Sequence, residues 1–438
     1  MNIKLIKPDE HWDSEISSAE TFKIQQANLP LLAAFTPVEH TVKIVDESFV
    51  EDSIDEDVDL VGITVMTDLA LRAYHIADSY RRRGIPVVMG GIHPTALPDE
   101  ALEHADAIVI GEGEEVWPQL VVDAEKGCMK KIYRGDNRAD LSGRPVPRHD
   151  LYPRPSLKGY TPDAVGVETS RGCPYDCEFC SIPLVSGHRY RVRPVEEVII
   201  EIESISNPRL MFVDDNLALD RRAGKELFTE MIPLKRKWVG QGTVSLAEDL
   251  ELLRLMKRSG CEALLIGFES AQKEAQNIMS KTKHLKLDYS EAMRRLHGEG
   301  IAVLGAFVFG FDHENKDVFD QTLEFSYKHR IELAQLRALM PFPGTKLYQR
   351  VLKEGRLLVP NWWLRTDKPK HPLFRPKGMT IDEFRNGLEH ISREFYSVNG
   401  IVRRFFGINP WKRSLMGWQL YVGANLAFRK RYYRGLKD

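Results

Sequence analysis

Cys173, Cys177 and Cys180 stand in the run Glu168-Thr-Ser-Arg-Gly-Cys-Pro-Tyr-Asp-Cys-Glu-Phe-Cys180, a C-x-x-x-C-x-x-C spacing. Three thiolates this close can hold three irons of a four-iron cluster. The fourth iron is then left without a cysteine from the motif. An open coordination position is what a catalytic metal site needs and an electron-carrying cluster does not. Zinc is the alternative, because three thiolates want a fourth ligand and His188, eight residues on, can supply it. A disulfide framework does not fit, since the chain has only five cysteines in 438 residues and three of them fall in this stretch. Gly172 and Pro174 shape a loop around the first cysteine.

The spacing and its flanks resemble the radical S-adenosylmethionine superfamily. The resemblance implies that the open iron is chelated by the amino and carboxylate groups of S-adenosylmethionine. Reductive cleavage then yields a 5′-deoxyadenosyl radical, with the electron coming from a donor such as flavodoxin or ferredoxin. Phe179, just before the last cysteine, matches the aromatic position beside the adenine.

Hydrophobic content of 43% and a net charge of −2 describe an ordinary globular protein. No global basic excess points to nucleic acid. The start, Met1-Asn-Ile-Lys-Leu-Ile-Lys, lacks the apolar core of a signal peptide. The longest apolar run, Ile301 to Phe311, is too short to span a bilayer. A cytoplasmic location is expected, and it suits an oxygen-sensitive cluster. Charge is uneven along the chain. Asp46 to Asp59 is acidic and reads as a solvated loop and helix face. From Arg403 onward nine Lys/Arg stand against one Asp.

The elements that must position the cysteines read as α/β throughout. Residues 1–138 alternate short apolar strands with amphipathic helices. Val42-Lys-Ile-Val45, Leu60 to Val65, Pro86 to Met89 and Ala107 to Ile110 are predicted strands. The second is continuously apolar, as a parallel strand covered on both faces should be. A helix is predicted from Thr67, with Leu69, Ala73, Ile76, Ala77 and Tyr80 on one face and Gly84 after its end. The alternation predicts a Rossmann-like sheet. Two glycine turns follow strand ends, at Gly90-Gly91-Ile-His93 and at Gly111-Glu112-Gly113. Ligands of open α/β sheets bind there, where glycine lets the backbone approach.

In order and spacing, residues 40–125 resemble the cobalamin-binding domain fused to many radical S-adenosylmethionine enzymes. The resemblance implies a cobalamin held near Gly90, Gly91, His93, Gly111, Glu112 and Gly113. Asp9-Glu-His11 begins the D-x-H-x-x-G motif of other cobalamin proteins, but position 14 is Ser and the location is too early. A cobalt ion here would lack a histidine ligand, and His93 reads as a structural hydrogen-bonding residue.

Residues 139–163 read as a linker, proline-rich from Gly143 to Pro155. Residues 164–345 again alternate strand and helix. The predicted strands are Ala164 to Glu168, Leu210 to Val213, Thr243 to Ser245, Ala263 to Gly267, Val303 to Phe309 and Ala334 to Leu339. Six such units predict a partial (β/α)6 barrel with chemistry at the carboxyl ends of its strands. Asp214, Asp215 and Asn216 stand at one such end and can hydrogen-bond a methionine amino group or a ribose. Glu269 and Ser270 match the family's G-x-E-S segment near S-adenosylmethionine. The competing reading for each of these is a helix N-cap. Gly305 and Gly310 roughly occupy the family's adenine-contact strand. Gln241 and Gln335 have strand-end positions only. Arg189, Arg191 and Arg193 can pair a carboxylate or phosphate, or line a solvated loop. Cys261 reads as a buried small hydrophobe. With Cys128 it leaves two spare cysteines, too few to ligate a second cluster.

Residues 346–438 are predicted to be helical, with Phe384, Leu388 and Ile391 at core spacing in Ile381 to Val398. The segment 414–433 is apolar first and basic afterwards. It fits a helix lying on an anionic membrane surface, or a terminal helix docked on the barrel with its basic residues solvated. The whole pattern implies a radical S-adenosylmethionine enzyme acting on a small or lipid-like molecule. The resemblance points to a cobalamin-dependent C-methyltransferase on a lipid-like, tetrapyrrole or natural-product substrate. An oxidative cyclase or rearrangement enzyme without cobalamin is the alternative of the same fold. A non-catalytic iron–sulfur or cobalamin-binding protein is the third reading.

Overall fold

A computed structural model describes residues 1–9, 24–50, 54, 57–136, 139–153, 164–272, 287–367, 371–405 and 415–434. His11 and Ser14, which decide the abortive D-x-H motif, lie outside these residues. The first seven strands are β1 (Asn2–Lys7), β2 (Ile24–Gln25), β3 (Thr41–Asp46), β4 (Leu60–Thr64), β5 (Val87–Gly90), β6 (Ala107–Ile110) and β7 (Ile132–Arg134). Six of them form a parallel sheet in the order β3-β1-β4-β5-β6-β7. The continuously apolar β4 lies inside it, with Leu60, Val61 and Ile63 buried. The predicted helix forms at Ala70–Arg81 after a short 3-10 turn, and Ala73, Ile76, Ala77 and Tyr80 are all buried.

Two strands of this sheet, β1 and β7, escaped the sequence reading. In β1 the lysines mask the pattern. Lys4 is buried, and its Nζ donates to the Tyr80 hydroxyl at 2.8 Å. The acidic stretch is also not simply solvated. Asp46 ends β3 fully buried, accepting from Lys7 Nζ at 3.0 Å and from the Tyr152 hydroxyl. Glu47 pairs with Arg72. A carboxylate that has a lysine and a phenol to meet need not face water.

The remaining strands are β8 (Ala164–Val167), β9 (Ser170–Arg171), β10 (Arg191–Val192), β11 (Arg209–Phe212), β12 (Lys237–Gly242), β13 (Cys261–Glu269), β14 (Ala302–Phe309) and β15 (Leu333–Ala338). A second parallel sheet runs β15-β14-β13-β12-β11-β8-β2, an open barrel with its strands in chain order and β2 added beside β8. The β9–β10 pair is a separate antiparallel ribbon. The third barrel strand is Lys237–Gly242, not Thr243 to Ser245, which begins a 3-10 turn. Gly240 and Gly242 hid it, because glycine weakens a strand signal. Here Gly240 makes room, since a Cβ on it would stand 2.9 Å from Leu217. The barrel core is aromatic around this strand, with Phe228 stacked on Trp238 at 5.0 Å.

Helix Lys346–Lys353 runs beside the cysteine loop, and Trp362 and Trp363 pack into the core of the first sheet. Helix Ile381–Phe395 starts on a Thr380–Glu383 capping box and buries Phe384 and Ile391. It ends at Phe395 rather than Val398 because Tyr396 turns inward. The Tyr396 hydroxyl donates to Ala334 O at 2.6 Å and accepts from Ala334 N at 3.1 Å. Asn425, on helix Leu415–Arg434, donates to Glu332 O at 3.2 Å. Side chains thus meet backbone groups at the start of the open edge of β15. They also dock the terminal helix on the barrel, as one of the two readings of the tail required. Among the described residues no helix is long and apolar enough to cross a membrane.

Candidate active site

The buried strand β8 delivers the chain to the β9–β10 ribbon, and the cysteine loop hangs between that ribbon's strands. Cys173 is buried, Cys177 and Cys180 are half-buried, and none is in a disulfide. Gly172 has φ +87°, and a Cβ there would fall 2.2 Å from Arg189 O, so only glycine fits. Its N–H donates to Asp215 Oδ2 at 2.8 Å. Cys180 N donates to Cys177 O at 3.0 Å. The far half of the loop is tied to helix Lys346–Lys353. Leu347 N reaches Glu178 O at 2.8 Å, and the Arg350 guanidinium forks onto Glu178 at 2.8 and 3.2 Å while also meeting Asp312. Phe179 meets Phe311 edge-on at 5.7 Å, giving the loop an apolar wall.

The acids after β11 are not helix caps. That role belongs to Asp220, which accepts from Ala223 N at 3.1 Å. Asp214 is buried and brackets two strand ends, accepting from Thr169 Oγ1 at 2.6 Å and from Ser170 Oγ. Burial pushes its carboxyl up to about 7 against the pull of those hydroxyls. Burial also raises Asp215, with the Gly172 hydrogen bond opposing. Asn216 is 3% exposed, and its Nδ2 has no hydrogen-bond partner, a donor free to meet a ligand.

Glu269 ends β13 at φ +60°, beside a bulge against β14, and is buried. A non-glycine residue held there is strained, as residues at functional strand ends are. Ser270 Oγ donates to Glu314 Oε1 at 2.7 Å, so its hydroxyl is used inside the protein. Glu314 also accepts from Gly310 N at 2.7 Å and Phe311 N at 3.1 Å, and burial pushes its carboxyl up to about 7. Glu314 was missed from sequence. Its signal is an acid four residues past the turn glycine that ends β14. Gln241 and Gln335 are half-buried on β12 and β15 with no closer link to the loop.

The glycine turns of the first sheet come near the chain that follows this loop, where a Cβ on Gly111 would stand 4.0 Å from Val185 O. Gly91 has φ +103°, and a Cβ on it would sit 3.0 Å from Val65 O. His93 is buried, its Nε2 within 2.8 Å of the Tyr74 hydroxyl and 3.1 Å of Glu100 Oε1. That is the structural hydrogen-bonding place its sequence implied. At Gly111 φ is +79°. Gly135 approaches the turn so closely that a Cβ would fall 1.5 Å from Glu112 O. The Glu112 carboxylate turns away from the sheet to Arg171 Nη1 at 2.9 Å and to Arg191. Arg191 and Arg193 are therefore buried ion-pair partners, Arg193 with Glu201 at 2.6 Å, while Arg189 is exposed. Gly344 closes the seam between the domains. A Cβ there would be 2.9 Å from Leu184, behind the cysteines, and 3.4 Å from Ala96, behind His93.

Three thiols on one tethered loop, an unpartnered buried donor and an aromatic wall fit a cluster with a bound nucleoside. Among the described residues no three His, Cys, Asp or Glu gather around one metal-ion position. A cluster asks each thiolate for a different iron. His188, the fourth ligand a zinc site would use, is exposed.

Residues 167–326 match the Radical SAM superfamily model and residues 28–121 the B12 binding domain model. The chain is 31% identical over 390 residues to the bacteriochlorophyllide d C-12(1)-methyltransferase of Chlorobaculum tepidum, covering 87% of this chain and 84% of that one. The chain belongs to the radical SAM superfamily. It falls in the subgroup that carries a B12 binding domain. It is also 28% identical over 369 residues to the C-8(2)-methyltransferase of the same organism, covering 76% and 77% of the two chains. Among solved structures, the radical SAM methyltransferase TsrM from Kitasatospora setae, with cobalamin and a [4Fe-4S] cluster bound, matches at TM-score 0.66. That match covers 99% of each chain at 16% identity and shows a likeness of fold. The two matched models meet where the Gly111–Glu114 turn touches Arg171, so the ion pairs described above join one radical SAM domain to its B12 partner.

Proposed function

We propose that this radical SAM enzyme is a cobalamin-dependent C-methyltransferase acting on a tetrapyrrole. The observation that carries the reading is the 31% identity along 84% of a bacteriochlorophyllide methyltransferase, spanning both cofactor domains. When bound, the [4Fe-4S] cluster with S-adenosylmethionine supplies a 5′-deoxyadenosyl radical, and cobalamin supplies a transferable methyl group. The protein's part is positioning and shielding. Cys173, Cys177 and Cys180 hold the cluster. Asp215 fixes the Gly172 peptide at the root of the loop. Asn216 offers a desolvated donor, and Phe179 with Phe311 offers an apolar wall to an adenine. The turns at Gly91 and Gly111, both at positive φ just past the ends of β5 and β6, are where a cobalamin would lie against the backbone. An external one-electron donor such as flavodoxin or ferredoxin reduces the cluster.

Anaerobic incubation of reduced enzyme with methyl-labelled S-adenosylmethionine and a magnesium tetrapyrrole carboxylate tests this. Label in the tetrapyrrole supports the reading. An unlabelled, oxidised ring-closed product would reassign the chain as a cyclase. 5′-Deoxyadenosine without any altered tetrapyrrole would move the substrate to another class.

We also infer a peripheral contact with an anionic membrane through the terminal helices. Val422 and Leu426 are exposed one helical turn apart, with exposed Lys430 a turn further on. Co-sedimentation with anionic vesicles should fall in Val422→Asp/Leu426→Asp. Equal binding by both proteins would remove the contact.

A further inference from the structure

The two cofactor-bearing domains meet across six charged side chains. Glu112 and Glu114 come from the turn after β6, Glu168 from the end of β8, and Arg171 and Arg191 from the β9–β10 ribbon. Arg144 comes from the segment between the domains. Three carboxylates face three guanidinium groups, and every one of the six side chains is less than a fifth exposed. Arg171 is the hub. Its Nη1 donates to Glu112 at 2.9 Å, its Nη2 to Glu114 at 2.7 Å and to Glu168 at 2.8 Å, and its Nε to Glu168 at 2.9 Å. Arg191 adds a second fork on Glu112 and donates to Ala139 O at 3.0 Å. Arg144 reaches Glu168 at 3.4 Å.

Such a network is a poor way to gain stability, because desolvating six charges offsets most of their attraction. Its strength is geometry. A guanidinium fork fixes the carboxylates it meets in plane and in register. Arg171 is joined through one residue, Gly172, to the cluster ligand Cys173, and the Gly172 N–H is itself pinned to Asp215. The Glu112 and Glu114 backbones belong to the turn expected to lie against cobalamin. A shift of that turn therefore has a rigid path of two hydrogen bonds to the root of the cysteine loop.

We propose that Arg171 is a positioning residue that transmits occupancy of the N-terminal domain to the cysteine loop and holds the two cofactors in register. The proposal rests on the cobalamin reading above. It adds that the cofactors are coupled through Arg171 rather than only placed side by side.

Hydrogen–deuterium exchange on the full chain with its cluster reconstituted tests it, with and without hydroxocobalamin. In the unaltered chain, cobalamin should slow exchange both in the 111–117 turn and in the 168–175 segment. Glu114→Gln keeps the side-chain shape and removes one of the two charges that Arg171 holds across the seam. In it the turn should still be protected, while protection of 168–175 should drop by about tenfold. Methylated product per 5′-deoxyadenosine should fall by a similar factor, about tenfold, with iron content unchanged. Arg171→Lys, which keeps the charge but not the fork, should behave the same way. Undiminished protection of 168–175 in both variants would overturn the proposal, as would protection in the unaltered chain confined to the turn. If cobalamin protects neither segment in the unaltered chain, the cobalamin reading itself fails and takes this inference with it.

Discussion

Arg171 Nη2 lies 2.7 Å from Glu114 Oε1, a bond that ties the β9–β10 ribbon to the turn after β6 of the first sheet. The bond crosses the seam between the B12 binding domain and the radical SAM domain. Burial alone would raise the Glu114 carboxyl. The charge and hydrogen bond of Arg171, with Arg144 behind, pull it down to about 2 instead. Glu114 thus stays ionised at any working pH, and the seam is held by full charges.

The cysteine assignment predicts that Cys177→Ala removes both the iron–sulfur absorbance and 5′-deoxyadenosine formation, by about a hundredfold or more. Iron analysis and product chromatography check it. A variant that keeps full cleavage activity refutes the cluster site.

Two glycines separate strain from collision. Gly84 and Gly172 both have positive φ, but a Cβ on Gly84 would meet nothing within 4 Å, whereas one on Gly172 would strike Arg189 O at 2.2 Å. Gly84→Ala should cost about 1 kcal/mol. Gly172→Ala should cost roughly 3 kcal/mol or more and lower the iron content, because the loop must move. Chemical denaturation of the two variants decides it. Equal costs would mean the loop yields freely.

Arg350 grips Glu178, one of the two residues between the second and third cysteines in the motif, and Asp312 just past the end of β14. Arg350→Met should leave the fold intact and speed loss of iron to a chelator by about tenfold, since half the loop loses its anchor. Unchanged release would show that the backbone bond from Leu347 to Glu178 suffices.

Stability should depend on pH with a definite sign. Burial pushes Asp214 from 3.8 and Glu314 from 4.5 up to about 7. Between about pH 4 and 7 the folded chain then holds more protons than the unfolded chain, so stability falls as pH rises through that window and levels off above it. Glu314→Gln removes one titrating group and keeps an acceptor for Gly310 and Phe311. Its melting temperature should fall less steeply than that of the unaltered chain from about pH 5 to 8. Parallel curves would contradict the assignment.

Much of this was legible in the chain. The cysteine spacing, the apolar β4 run and the glycine turns each signal themselves locally, through ligand count, hydrophobic continuity and positive φ. What stayed hidden depends on partners far along the chain. Lys4 reads as surface until Tyr80 is placed beside it. Gly240 reads as a loop residue until Leu217 fills the space against it. Glu112 reads as a ligand contact because it sits between two turn glycines, while its carboxylate is turned to arginines some sixty and eighty residues on. Glu314 left only a faint mark, an acid four residues past Gly310, and the meeting of three donors at its carboxylate gives that mark its meaning.

Cobalamin bound per chain, after anaerobic reconstitution with iron, sulfide and hydroxocobalamin, tests the central claim most directly. The account predicts close to one cobalamin per chain carrying an intact cluster. An intact cluster with no cobalamin would contradict it, leaving the first sheet as a scaffold and methyl transfer without its carrier.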